Sequence, residues 1–580
     1  MAVAVLDDAP AAHRSLTRWR YGGEVALWSA ILLLIVYPLL MVGASVLAPG
    51  LPDTQPFAFA DLLRDRLVTA SLNTFHLGIS VSLLSLIIGA ALALVAVQSR
   101  GDRWIDLIMS IPFLTPPFLA SLAWSLAVGP RGYLSRFGLG GEALEHLIFS
   151  FWGLALLMAV HYAPIVYFAL RSQMERVPPS LLWAAQISGA KPGRIVGRIL
   201  LPITFPALLA GGFLGFACGI EEYGTPLVIG NRIGFPVIST EIGRVVSVYP
   251  INFTLASALA SILFALGGAV YFFSYVLQRH ARTSAKPSGY PAPSLLSGWA
   301  RTGLWVFVAS YTVFTIFVPY GSMLLTSLLQ LVSAGPTIGN LTLAHYLHVL
   351  TAASSGLRDA LLTSFSLALM AALLGTLLGA ACARKSIALV SLTLIPTATP
   401  AITMAVGFIR GWNAPWTAWL PLYGSAVIVG LFYTAQYLPY AVQYARAGLA
   451  AIPPSYEWAA RVHGAGAGTA NRRIIAPLLW PHCLAGAILI FSISFRELVG
   501  SALLRGPGME TVSTFILREF DQAVRRPEWR WVLSRSPCRS RRSRSRVAWC
   551  PKNPDGRRPR NVQLSSKSDQ TPTWSDGQRS

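Results

Sequence analysis

Uninterrupted apolar stretches of about 20 residues recur along most of this chain, and each is long enough to cross ~30 Å of hydrocarbon as a helix. Of the 580 residues, 54% are hydrophobic and 12% are charged, whereas soluble domains are usually about a quarter charged. The stretches are continuous and lack the alternation that a membrane β-barrel requires. The sequence therefore predicts an all-α polytopic membrane protein.

We predict eleven spans in two halves. Residues 1–20 are polar and contain three arginines, so the first apolar run is expected to remain as an uncleaved span. The predicted spans cover residues 24–48, 73–98, 104–129, 147–170, 203–220 and 253–278, then 302–329, 360–383, 387–409, 423–445 and 478–495. This divides the chain into a first half, 1–278, a polar cytoplasmic linker, 279–300, and a second half, 301–530.

One polar loop occurs twice, at a constant offset of 275 residues. We call residues 178–202 the first repeated loop and residues 453–477 the second. The first contains Trp183, Ala184, Ala185, Gly189, Ile199 and Pro202, and the second contains Trp458, Ala459, Ala460, Gly464, Ile474 and Pro477. Each is expected to form a short helix, a break at the glycine and a second helix that ends at the proline. A polar loop maintained twice in an apolar chain indicates a docking surface.

Other matched positions extend the repeat beyond these loops. Gly89 corresponds to Gly379 at an offset of 290, Thr115-Pro116 to Thr399-Pro400 at 284, and Tyr162 to Tyr437 at 275. Because six spans return a chain to its starting side, the halves are predicted to be two parallel six-helix repeats. The second repeat lacks an apolar run for its last helix.

The repeated loops resemble the "EAA" loop of binding-protein-dependent ABC importer permeases. That pattern is Glu-Ala-Ala, three residues, Gly, nine residues, Ile, one residue and Leu-Pro. The chain matches from Ala184 to Pro202 and from Ala459 to Pro477, with Ala476 in place of the leucine. It departs at the first position, where Trp183 and Trp458 stand in place of glutamate. The resemblance implies a type I ABC importer fold and loops that dock into a cleft on an ATP-hydrolysing subunit.

The resemblance implies a transport subunit rather than an enzyme, and the sequence agrees, because it contains no G-x-x-x-x-G-K-[ST] phosphate loop. ATP hydrolysis is therefore expected in separate subunits, predicted to be two identical copies because both loops begin with Trp-Ala-Ala. An external substrate-binding protein is the other implied partner. The five cysteines show no paired spacing, so no metal site, cofactor or disulfide is predicted.

The sequence predicts the transported substrate less narrowly than it predicts the fold. Segments around Phe495-Arg496-Glu497-Leu498 and Glu222-Tyr223-Gly224 resemble ferric-iron importer permeases most closely. Ferric iron is therefore the first expectation, with thiamine, phosphonate or polyamine as alternatives. A secondary carrier driven by an ion gradient is the alternative from another class, but such carriers usually place ionisable groups near the midplane, and the predicted spans contain almost none.

Four charged residues lie where the fifth and eleventh spans are expected to meet the outside. These residues are Glu221, Glu222, Arg496 and Glu497, the last two matching the first two at the offset of 275. Charge costs little at a membrane interface, so contact with the binding protein, solvation and cargo handling all remain open for this external mouth. His161 is interpreted as a packed or interfacial histidine.

Lysine and arginine in short loops predict the orientation. With a cytoplasmic N-terminus, the inside segments hold 20 of these residues and the outside segments 11 through residue 524. Both repeated loops then lie in the cytoplasm of a bacterium, with the spans in lipid of its inner membrane. The basic charge gives little support to nucleic-acid binding.

Residues 531–580 do not fit the repeat. The last 56 residues hold 15 of the 46 Lys and Arg, and the run Arg539 to Arg546 cannot cross hydrocarbon. Two interpretations stay open: a basic disordered extension, or a reading-frame change near 532–536 that replaced the last span. The second predicts an apolar run of about 20 residues in another frame of the same DNA.

Overall fold

The computed structural model describes residues 22–47, 65–98, 103–129, 132–139, 141–280, 295, 298–351 and 356–525. Residues 1–523 form one compact unit; of the second unit, 524–580, only two residues are described. Regular secondary structure in these ranges is helical, apart from one isolated bridge between Leu329 and Leu341. The all-α polytopic fold is confirmed. The predicted tail, 531–580, and most of the linker, 279–300, lie outside the described ranges.

The first half is formed by nine labelled helices. They are α1 (Gly22–Leu47), α2 (Asp65–Gln98), α3 (Arg103–Leu114), α4 (Pro117–Val128), α5 (Phe151–Met174), α6 (Pro179–Ile187), α7 (Pro192–Glu221), α8 (Ile238–Ser247) and α9 (Phe253–His280). Short segments over Tyr133–Arg136, Glu142–Ile148 and Pro226–Gly230 lie between them.

The second half repeats much of this order. It contains α10 (Gly298–Leu328), α11 (Gly356–Cys382), α12 (Ile387–Ala398), α13 (Ala401–Trp412), α14 (Ala426–Ala451), α15 (Pro454–Val462), α16 (Ala467–Phe495) and α17 (Val512–Arg525). Short helices over Val332–Ala334, Ile338–Asn340, Ala344–Thr351, Pro415–Thr417 and Val499–Leu504 lie in its loops.

Eight described helices are long and apolar enough to cross a membrane, and two bent pairs raise this number to ten. The pairs are α3 with α4, bent by 87°, and α12 with α13, bent by 110°. Each bend lies at a Thr-Pro step, where proline removes an amide donor and disfavours helical geometry in the residue before it. Helix α14 is 26 residues long but less apolar, and it matches the remaining predicted span.

The two halves pack in similar ways and also against each other. Helices α2, α5 and α7 contact one another, as do α11, α14 and α16. The first long helix of each half reaches the other half: α1 packs on α13, and α10 packs on α4. The largest buried apolar cluster includes side chains from both halves, such as Ile35 and Phe408.

Two glycines allow close helix contacts at equivalent places. A Cβ at Gly89 on α2 would lie 2.7 Å from the Cβ of Val166 on α5. A Cβ at Gly379 on α11 would lie 2.5 Å from the Cβ of Ala441 on α14. Any larger side chain would separate the helices, which explains why glycine stands at both matched positions.

Gly379→Leu is expected to lower the free energy of unfolding by about 1–3 kcal/mol, the usual cost of overpacking. Gly268→Leu is the matched control, because no atom lies within 4 Å of a Cβ at that helical glycine. Thermal unfolding of both purified variants in detergent tests this. Equal midpoint temperatures of unfolding for the two variants would show that the contact between α11 and α14 does not depend on glycine.

Candidate functional site

Both repeated loops have the same backbone hydrogen bonds. In the first, the Gly189 amide donates to the Gln186 carbonyl at 2.9 Å, and the Ala190 amide donates to the Ala185 carbonyl at 3.0 Å. This pair of bonds is the Schellman motif, which ends a helix with a residue of left-handed conformation. Gly189 has φ +78°, so its glycine is required by the backbone.

The second loop ends its helix in the same way. The Gly464 amide donates to the Arg461 carbonyl at 3.0 Å, and the Ala465 amide donates to the Ala460 carbonyl at 2.9 Å. Gly464 has φ +77°. The paired alanines of each repeated loop therefore occupy the C-terminal turns of α6 and α15, where their carbonyls accept the terminating bonds.

Each short helix presents an exposed apolar face. On α6, Trp183 is 44% exposed and Ile187 is 85% exposed. On α15, Trp458 is 65% exposed and Val462 is 85% exposed. Residues four apart lie on one face of a helix, and the two pairs are themselves related by 275 residues. Ile187 and Val462 were missed in the sequence analysis, although the constant offset could have found them.

The predicted end of the second helix at Pro202 is wrong. Helix α7 begins at Pro192 and continues through Pro202 to Glu221. A π-turn over Val196–Leu200 precedes the proline, and another over Asn471–Ile475 precedes Pro477. A π-turn pairs each amide with a carbonyl one residue further back than an α-helix does. It therefore shifts the backbone hydrogen bonds just before the proline, which has no amide to donate. Ile199 and Ile474 lie in these turns and are half-buried.

A cavity of about 230 Å³ lies between the two halves, lined by residues from both. Helices α7 and α16 end beside it, and the α3–α4 break also contributes Pro116 and Pro117. Its charged lining consists of the four predicted mouth residues, Glu221, Glu222, Arg496 and Glu497. The structure brings these four together, which the sequence pattern alone did not predict.

Two of the carboxylates satisfy backbone amides that follow the ends of α7 and α16. Glu222 accepts bonds from the amides of Gly224 and Thr225, both at 3.1 Å, and from the Tyr162 hydroxyl. Glu497 accepts from the amides of Gly500 at 2.9 Å and Ser501 at 3.1 Å. Burial raises the pKa of the Glu222 carboxyl, and it raises that of Glu497 to about 7.

Glu497 is 6% exposed, and burial of a charge within the protein is costly. The cost of burying the Glu497 charge is offset by hydrogen bonds from amides that would otherwise lack partners. The position of these residues at the membrane interface remains a prediction. Among the described residues, no group of three or more His, Cys, Asp and Glu side chains could hold a metal ion. His161 is buried beside the Tyr162 ring, consistent with the packed interpretation.

The chain is similar to known transport proteins. Residues 85–283 match the family described as "Binding-protein-dependent transport system inner membrane component". The putative ferric transport system permease protein FbpB 1 of Haemophilus influenzae is 26% identical over 479 residues, covering 80% of this chain and 74% of the relative. Ferric transport system permease protein FbpB of Actinobacillus pleuropneumoniae is 25% identical over 514 residues, covering 86% and 74%.

A shorter similarity involves a different named cargo. The putative 2-aminoethylphosphonate transport system permease protein PhnU of Salmonella choleraesuis is 30% identical over 173 residues, covering 29% of this chain and 60% of the relative. Together with the apolar helices, these similarities establish a multi-pass transport subunit. Residues 85–283 therefore belong to the inner membrane components of binding-protein-dependent transport systems, and the chain resembles the ferric transport permeases over most of its length.

Proposed function

We propose that this chain forms the membrane pathway of a ferric-iron importer, driven by two identical ATP-hydrolysing subunits that dock on the two repeated loops. The ferric permeases are similar to 80% or more of this chain, whereas the phosphonate permease is similar to 29%. This difference in coverage supports ferric iron over phosphonate. Thiamine and polyamine remain further alternatives of the same architecture.

The exposed apolar faces of α6 and α15 carry the docking proposal. A tryptophan and an aliphatic residue project from each short helix, and exposed apolar groups on both members of a repeated pair indicate protein contact. Because both faces have the same spacing and the same glycine-terminated backbone, two copies of one partner fit them. ATP binding would draw the two partners together, and each loop would transmit that movement to α7 or α16.

The cavity between the halves is the proposed cargo path. Three carboxylates and one guanidinium line it, so a cation would meet more acidic than basic side chains. The helices that end at the cavity are α7 and α16, which continue from the two repeated loops. Movement of either loop along its helix axis would therefore reach the cavity directly.

The proposed orientation places both repeated loops and the N-terminus in the cytoplasm of a bacterial cell. The excess of lysine and arginine in the segments on that side supports it. The cavity then lies toward the external side, where a binding protein would deliver cargo.

The double variant Gly189→Ala with Gly464→Ala is expected to uncouple ATP turnover from cargo. Alanine at positive φ costs roughly 1–2 kcal/mol at each site, and 1.4 kcal/mol corresponds to about tenfold in an equilibrium constant. Cargo-stimulated ATP hydrolysis by the reconstituted complex should fall about tenfold or more. The measurement compares stimulated with basal turnover.

Gly193→Ala with Gly468→Ala is the matched control. These glycines are also related by 275 residues and do not have positive φ. No atom lies within 4 Å of the position that an alanine Cβ would occupy. The control should keep full stimulation, because alanine fits an unstrained helical position. Equal stimulation in both double variants would contradict coupling through these loops.

ATP-dependent uptake of ferric iron is expected in proteoliposomes that contain the chain, its ATPase subunits and its binding protein. Glu221→Gln should reduce the uptake rate severalfold, because it removes one carboxylate from the proposed path. Uptake of thiamine, 2-aminoethylphosphonate and a polyamine is measured in parallel. Transport by the chain alone under an ion gradient would instead support the secondary carrier.

A further inference from the structure

One residue of the linker between the halves contacts the first repeated loop. Leu295 is 2% exposed and lies in a buried apolar cluster. The other buried members of the cluster belong to the loop or flank it, and they are Val177, Leu182, Ile195 and Leu200. Leu295 therefore fills the interior of the loop, on the side opposite to its exposed tryptophan face.

The same residue also contacts a membrane helix. The Leu295 amide donates a hydrogen bond to the Oε1 atom of Gln98 at 2.5 Å, and Gln98 is the last residue of α2. Leu182 of α6 belongs to the same buried cluster as Leu295, and Ala185 packs against that cluster. A single residue thus connects the end of α2 with the short helix that carries Trp183.

The second repeated loop has a different connection at the equivalent place. The position corresponding to Leu182 is Glu457. Its carboxylate pairs with Arg384 at 3.0 Å and with Arg461 at 3.1 Å. Arg384 also donates to the Oδ1 atom of Asn471 at 3.0 Å, and it lies two residues beyond the end of α11. Helix α11 occupies the place in the second half that α2 occupies in the first.

We propose that Leu295 is a positioning residue that fixes the first repeated loop to α2, and that the Arg384–Glu457 pair fixes the second loop to α11. Both links hold a repeated loop against a membrane helix, but only the ion pair is sensitive to salt. An ion pair with side chains 42% and 29% exposed weakens as ionic strength rises. A buried leucine is not screened, since its contribution comes from apolar burial.

Only the role of the two links in transport rests on the proposed function. The links themselves can be measured without an ATPase. Hydrogen exchange is followed by mass spectrometry on the full chain in detergent, in peptides covering residues 179–190 and 454–465. Leu295→Ser should make the first peptide exchange about tenfold faster or more, because it removes a buried side chain. The second peptide should be unchanged. Leu295→Met, which conserves volume, should behave almost as the unmodified chain.

The opposite pattern is expected for the ionic link. Arg384→Gln should accelerate exchange in the second peptide alone. About 1 M NaCl, where the Debye length is ~3 Å, should reproduce that effect in the unmodified chain and leave the first peptide protected. Unchanged protection in Leu295→Ser would overturn the proposal. So would faster exchange throughout that variant, because the contact would then support the whole fold rather than one loop.

A second readout connects the links with transport. In the complex with its ATPase subunits, Leu295→Ser should lower cargo-stimulated turnover while both subunits remain bound, and Leu295→Met should restore stimulation. Full stimulation in Leu295→Ser would show that the link does not position the loop for coupling. If no ATPase binds to any variant but the exchange patterns hold, the links stand and the proposed function fails.

Discussion

The structure depends on how backbone hydrogen bonds are satisfied where membrane helices break or end. An unpaired amide or carbonyl in hydrocarbon costs several kcal/mol, yet two spans bend sharply and two others end beside an internal cavity. Glu222 and Glu497 accept bonds from the amides that follow α7 and α16. The carboxylates at the cavity between the halves are therefore explained by chain geometry: helices that end inside the protein require acceptors there, and carboxylates provide them.

The two repeated loops have the same backbone conformation, although some of their side chains differ. Both short helices end in the same Schellman motif at a glycine of positive φ, so the backbone fixes where the exposed tryptophans point. The interior contacts are not equivalent, because leucine at 182 faces an apolar cluster whereas glutamate at 457 forms ion pairs. One partner surface can thus be presented twice by loops whose supports differ in chemistry.

Much of the fold could be predicted from sequence because the signals are local. Apolar run length located the spans, and a constant spacing located both glycines. The errors arose where tertiary contacts decide. The helix was expected to end at Pro202, but a π-turn just before the proline allows it to continue. Leu295 left no sequence signal, since a single leucine in a polar linker shows its role only when its distant partners are known. The parallel arrangement of the halves remains a prediction, although several equivalent contacts agree with it.

Fusion of the halves into one chain has a consequence at the cavity. Glu221 and Arg496 occupy equivalent positions, and both line the same space. Two identical subunits would place the same charge at both positions, and like charges across a shared cavity repel. A single chain can carry opposite charges at the two positions, which lowers this cost and makes the two sides of the cavity chemically different. The same freedom permits leucine in one loop and glutamate in the other. Sequence divergence between fused halves is therefore expected to concentrate at residues that face the shared space or the loop interiors, and to spare the glycines, whose backbone angles few other residues adopt.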